Sequence, residues 1–256
     1  MTKITPEEIF VVGLLNDSLG LELKSLPTIP LQETPDFSTI HGGKKFLLEL
    51  KSSFESDLAI KAKKKAYDQD EIYIKEDLIQ PSGKNSKNFH KASKQLNNRK
   101  SSEAADYCLY IINLIKTDGG YQEHTVLANL LGEANILTDE GPLSCLYYHE
   151  SEFFKQKDLV DAAIIITKSH EIALVINDYS PRYESFRNSS FAGLFDLASI
   201  YDPIVMEESR EVISIREGIS RKDTTALKLH LQEKYKFTFA IQTDFHSMFA
   251  SFQVDR

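Results

Sequence analysis

The 256 residues carry 30 Lys and Arg against 38 Asp and Glu, a formal net charge of −8, with 41% hydrophobic and 27% charged residues. Such a chain can bury the core of one large domain or two small ones, and its balance excludes disorder over most of its length. An acidic total also excludes a protein that coats nucleic acid by bulk charge, while leaving room for a local basic groove.

Thr5-Pro6-Glu7-Glu8 reads as a helix start, with Thr5 as N-cap, Pro6 in the first turn and Glu8 able to close a capping box. That helix is predicted to run to about Asn16, and Leu21 to Leu31, with two prolines, to be a connector or short strand. Pro35 to Ile40 and Lys45 to Lys51 flank His41-Gly42-Gly43-Lys44, where the glycines supply the positive φ of a tight turn, so a β-hairpin is expected. Residues 68–88 are polar and contain Pro81-Ser82-Gly83, which predicts an excursion or loop. Phe89, Ala92 and Leu96 then recur at helical spacing, with Lys87, Lys91 and Lys94 on the opposite face. A second basic group, Lys61, Lys63, Lys64 and Lys65, precedes it.

Tyr107 to Leu114, Leu143 to Tyr148, Val160 to Thr167 and Ile172 to Asn177 read as strands, several apolar enough to be covered on both faces. Glu123 to Leu131 and Ser151 to Lys157 are predicted helices. Beyond Tyr179 the expectations are a helix over Phe191 to Ile200, a strand over Glu211 to Arg216, and a closing strand pair from Tyr235 to Gln242 and Met248 to Val254. Ala226 to Leu231 fits either type. Helices alternating with strands predict an α/β fold, divided at about residue 180 into a core (1–180) and a C-terminal segment (181–256) that completes the fold or contacts a partner or substrate.

Cys108 and Cys145 are too few for a disulfide framework or a Cys-based zinc site. The N-terminal residues lack an apolar signal core, and no apolar run is long enough to span a bilayer, so a cytoplasmic protein with no membrane partner is expected. Phosphate-loop, dinucleotide-binding, serine-hydrolase and His-Glu-x-x-His patterns are absent from the sequence.

The chemistry concentrates in Pro35-Asp36, twelve intervening residues, and Glu49-Leu50-Lys51. Alternation along a strand puts Glu49 and Lys51 on one face and Leu50 on the other, and the hairpin returns Asp36 beside Glu49. Two carboxylates so placed repel unless a cation sits between them, and hard oxygen ligands of this kind suit Mg²⁺. An ammonium beside the ion can orient an attacking water and offset charge on a phosphodiester. The plainer reading of the same residues is an exposed strand face with a surface ion pair beside a Pro-Asp turn.

At these positions the sequence resembles the PD-(D/E)XK nucleases, the restriction endonuclease-like superfamily, with Asp36 as first acid, Glu49 as second and Lys51 as the lysine. The resemblance covers about residues 5 to 115. It implies a central mixed β-sheet flanked by helices, a Mg²⁺ site (Mn²⁺ substituting) completed by the Leu50 backbone carbonyl, and hydrolysis of nucleic-acid phosphodiesters, with DNA the expected substrate. It further implies an extra acid from the first helix, for which Glu8 is the candidate against its capping role. Nucleic-acid contacts from the helix after the lysine strand would fall to Lys87, Lys91, Lys94 and Gln95. Restriction or antiviral defence is the implied setting, with a homodimer or a partner protein of a defence complex as the implied assembly. The competing expectation is a nuclease-like fold serving as a non-catalytic interaction module, and a less favoured third is a nucleotide-hydrolysing enzyme on the same carboxylates.

Overall fold

Thr5 closes a capping box: the Glu8 N–H donates to Thr5 Oγ1 at 3.2 Å and the Thr5 N–H to Glu8 Oε2 at 2.5 Å. Helix α1 (Pro6–Leu19) starts there and stops at Gly20, whose φ of 63° gives the left-handed cap. It outruns the apolar pattern because the turn before that cap, Asp17-Ser18-Leu19, carries no periodic signal. The computed structural model describes residues 5–27, 34–53, 57–78, 81–116, 121–243 and 247–252, with backbone alone at 57–59, 74–78, 121 and 247–252.

After α1 come β1 (Lys24–Ser25), β2 (Phe37–His41), β3 (Lys44–Ser52), α2 (Asp57–Asp68), β4 (Tyr73–Leu78), α3 (Gly83–Lys100), β5 (Tyr107–Asn113) and α4 (Tyr121–Leu131). Then follow β6 (Ala134–Thr138), β7 (Gly141–Leu146), α5 (Glu152–Lys155), β8 (Ala162–Ile166), β9 (Ile172–Ile176) and α6 (Tyr183–Arg187). Two 3₁₀ turns (Ala192–Leu194 and Leu197–Ser199), β10 (Ile200–Tyr201), α7 (Pro203–Glu208), β11 (Val212–Ser214), α8 (Thr224–Tyr235), β12 (Ala240–Gln242) and β13 (Ser247–Phe252) complete the order.

The large sheet is mixed and seven-stranded, in the order β1-β2-β3-β5-β8-β9-β10. Strands β3, β5 and β8 run parallel, with β2 and β9 against them. Helices cover both faces. On one, Phe46, Leu48, Leu109, Ile111 and Ile164 pack with Val11 and Leu15 of α1 and with Phe186 and Phe191. On the other, Leu47, Cys108, Tyr110 and Ile165 pack with Phe89, Ala92 and Leu96 of α3 and Val126 and Leu130 of α4. Cover on both sides is why β8 is apolar and buried at every position. The fold is α/β.

A smaller sheet, β11-β7-β6-β12, has its own core, in which Ile136, Cys145, Ile213 and Ala240 meet Leu227 and Leu231 of α8. Residues after 180 therefore supply β10 to the large sheet and β11 and β12 to the small one. Both cysteines are buried and free. No described helix is long and apolar enough to cross a membrane.

Several expectations need correction. Part of the excursion expected over 68–88 is strand: Tyr73–Leu78 pairs antiparallel with β13, and α3 begins at Gly83, while residues 79–80 lie outside the described set. The sequence Tyr-Ile-Lys-Glu-Asp-Leu hides that strand because its charges suit a small two-stranded sheet. The helix expected over Phe191 to Ile200 is two 3₁₀ turns leading into β10. The supposed closing pair does not pair with itself, since β12 joins β6 and β13 joins β4; Val254 lies outside the described residues. Ala226 to Leu231 is helical within α8, begun by Asp223, whose carboxylate accepts from the Ala226 N–H at 2.9 Å. Strand β6 was unanticipated, as were α2, α6 and α7. The connector expected over Leu21 to Leu31 contains β1, and its residues 28–31 fall outside the described set.

Candidate active site

The hairpin turn fixes the site's geometry. Gly42 and Gly43 both have positive φ, 55° and 73°, the requirement of a two-residue turn matched to strand twist. The resulting register pairs His41 with Lys44 and Phe37 with Leu48. One step further, Asp36 stands opposite Glu49, just where β2 has ended and β3 continues along β5. Asp36 takes the place of the missing strand: its Oδ2 accepts from the Leu50 N–H at 2.9 Å. The N–H and C=O of one strand residue face the same side, so the Leu50 carbonyl looks toward Asp36 as well.

Glu49 is fully buried, and the ammonium of Lys51, on the same strand face, forms an ion pair with its Oε1. Lys51 Nζ also donates to Gln95 Oε1 at 2.8 Å, and Gln95 Nε2 donates in turn to the Thr34 carbonyl at 3.1 Å. Gln95 is thus a clamp from α3, with one end on the lysine and the other on the segment carrying Asp36. Burial, then the charge of Asp36, push Glu49 up to about 8 against the pull of Lys51. Asp36 is raised too, chiefly by burial, with the Leu50 N–H and Lys51 opposing and Glu8 adding to the rise. Glu49 Oε2 is buried with no donor directed at it among the described residues, and with Glu49 protonated the Asp36 carboxyl is its hydrogen-bond partner. A facing carboxyl pair with an orphaned oxygen takes up either a proton held between the two groups or a cation.

The donor set fits a hard divalent ion: two carboxylates and a backbone carbonyl, with room for water and substrate oxygens in the remaining positions. Among the described residues no group of three or more His, Cys, Asp or Glu side chains is disposed around one metal position. Glu8 lies near enough to Asp36 for its charge to act there, while its carboxylate closes the capping box, and Glu7 pairs with Lys116 at 2.5 Å.

Helix α3 presents Lys87, Lys91 and Lys94 to solvent, opposite buried Phe89, Ala92 and Leu96. Gln95 belongs to a different group: it is buried on the Lys51 side rather than on the lysine stripe. Sequence reasoning placed it among substrate contacts and missed its hold on Lys51, and it missed Thr34. The usable signal was Gln95 falling beside Leu96 on the packed face, which a helix turned toward β3 must bring over the Glu49 side. Comparisons with protein-family models, curated proteins and solved structures find no match to the chain.

Proposed function

We propose that the chain is a Mg²⁺-dependent nuclease that hydrolyses phosphodiester bonds of nucleic acid, acting on DNA as an endonuclease. The observation that carries this reading is the meeting of Asp36, Glu49 with no donor at its buried Oε2, and Lys51 where β2 ends beside β3. The restriction endonuclease-like motif accounts for all three, and a surface ion pair does not account for a carboxylate with no solvent exposure. The strand order around the site agrees with the motif: an antiparallel hairpin, a helical crossover and a parallel neighbour, with α1 and α3 on opposite faces.

Asp36, Glu49 and the Leu50 carbonyl would hold the ion. When bound, it supplies Lewis-acid stabilisation of the phosphoryl oxygens. Lys51 then faces the phosphate, where its ammonium orients the attacking water and offsets charge that grows in the transition state. Gln95, held to the Thr34 carbonyl, would keep that ammonium oriented even with Glu49 engaged as a ligand, so Lys51 would be preorganised. Water adds to phosphorus, the ester oxygen leaves, and a solvent proton completes the alcohol product. The acidic protein meets a polyanion through the exposed stripe on α3, which follows the catalytic hairpin in sequence.

The test is a cleavage assay with Mg²⁺ or Mn²⁺ on circular and linear DNA, comparing wild type with Asp36→Ala, Glu49→Gln and Lys51→Met. Cleavage that needs the metal and disappears in all three variants supports the reading. DNA binding without metal-dependent cleavage in the wild type would favour a non-catalytic interaction module instead.

A further inference from the structure

At the other end of β3 lies a cavity of about 450 Å³, lined by Gly42, Lys44, Asp106, Tyr107, Arg182, Ser185, Ser189 and Ser190. Lys44 and Lys51 lie seven steps apart along the strand, roughly 23 Å at strand rise, so this is not the carboxylate site. We propose that it is a binding site for a phosphate group on a small ligand of up to about nucleotide size.

Arg182 is the anchor. Its Nε donates to Asp161 Oδ1 at 2.8 Å, and its Nη2 reaches the carbonyls of Asp158 at 3.2 Å and Leu159 at 3.1 Å. Asp161 has no solvent exposure and is itself fixed by Ser180 Oγ at 2.7 Å and the Cys108 N–H at 3.0 Å. Three bonds to a rigid frame lock the guanidinium, yet Nη1 has no hydrogen-bond partner among the described residues. A locked arginine with an unspent edge, lining a cavity, is preorganised for an oxyanion.

The other donors agree. Ser190 Oγ has no partner among the described residues, and Ser189 Oγ accepts from the Ala192 N–H at 3.2 Å, leaving its own O–H to give. Ser185 spends its hydroxyl on the Arg182 carbonyl and closes the wall. Lys44 is held by Asp106 at 3.0 Å, but with side chains 53% and 35% exposed the pair is weak, and its ammonium keeps two further N–H groups. Asp106 is the one carboxylate in the lining, and both its oxygens are occupied, by Lys44 Nζ and the Lys45 N–H. An ammonium, a guanidinium edge and two hydroxyls exceed what a carboxylate can use and match a tetrahedral dianion with three terminal oxygens. Gly42 completes the wall: a Cβ there would come within 2.0 Å of Ser190 Oγ, so glycine at this turn leaves the hydroxyl its present place against the cavity.

The inference stands apart from the nuclease reading, and its test separates the two. The full chain is titrated calorimetrically with sodium phosphate and, separately, with adenosine monophosphate, using wild type, Ser190→Asp, Lys44→Ala and Asp36→Ala. Saturable binding is expected in wild type and Asp36→Ala alike, weakened at least tenfold by Ser190→Asp and severalfold by Lys44→Ala. Because Ser190 and Lys44 are exposed, both variants should keep the wild-type melting curve, which is recorded alongside. Saturation by either probe supports the site, and tighter binding of the nucleotide identifies a nucleotide rather than free phosphate as the source. No saturable binding, affinity unchanged by Ser190→Asp, or binding lost only in Asp36→Ala would each overturn it.

Discussion

Glu49 is an acid whose folded-state proton affinity exceeds its unfolded one, and this sets a pH dependence of stability. From the ordinary value of 4.5 up to about 8, the folded chain retains a proton that the unfolded chain has released. Stability of the ion-free protein therefore falls as pH rises through that window and levels off above it. Glu49→Gln keeps the shape and the acceptor for Lys51 and removes the titration. At pH 8 it should melt several degrees above wild type, and its melting temperature should vary less with pH between 5 and 8. Added Mn²⁺ should raise the wild-type melting temperature, by the equivalent of about 2.7 kcal/mol at one hundred times its dissociation constant, and leave Glu49→Gln nearly unmoved. Lys51→Met removes the ammonium that now occupies Glu49 Oε1, so at pH 8 Mn²⁺ should bind it severalfold more tightly than wild type in a calorimetric titration, while cleavage is lost. Equal affinity would detach Lys51 from the ion's position.

The hairpin was legible because its parts constrain one another. Two glycines fix a two-residue turn, and the spacing of Asp36 from Glu49 then follows from the register. Gly42→Ala should cost about 1–2 kcal/mol from the left-handed conformation, as read from urea unfolding. What the sequence could not show is what α3 does over β3, since the Gln95 clamp depends on helix orientation and not on any local pattern. The lysine stripe on α3 could be read, because amphipathic spacing alone sets which face stays out. Changing Lys87, Lys91 and Lys94 to Glu should weaken DNA binding regardless of sequence and lower the salt dependence by roughly 2–3 units of slope, measured by fluorescence anisotropy across salt concentrations. Unchanged affinity and slope would make the stripe an ordinary solvated surface.

Across the whole molecule, two sheets with separate cores share one chain, and strand β7 leads back into the large sheet's layers through Tyr147 and Phe153. Leu231, fully buried between α8 and the small sheet, should cost about 2–5 kcal/mol on truncation to Ala. If the cores melt together, one transition shifts; a second transition in calorimetry would show the small sheet unfolding by itself. Three strands of the small sheet, β7, β11 and β12, overlap expected strands and only β6 was missed; what the sequence could not show is their pairing, because they come from distant parts of the chain and no window contains the pattern that β6, β7, β11 and β12 form together.

The pairing of β4 with β13 imposes an order on assembly. Strand β4 is made soon after the catalytic hairpin, yet its described partner is translated only after both sheets' other strands have emerged. Closing so long a loop is entropically costly and slow, so this ribbon belongs to the late events of folding, after the hairpin and the parallel strands have collapsed. During synthesis β4 would wait without its β13 partner while the hairpin and parallel strands are already made. Pulsed hydrogen exchange during refolding should show amides of β3 and β5 protected before those of β4, and a ribosome-stalled chain ending at residue 243 should already protect the former and not the latter.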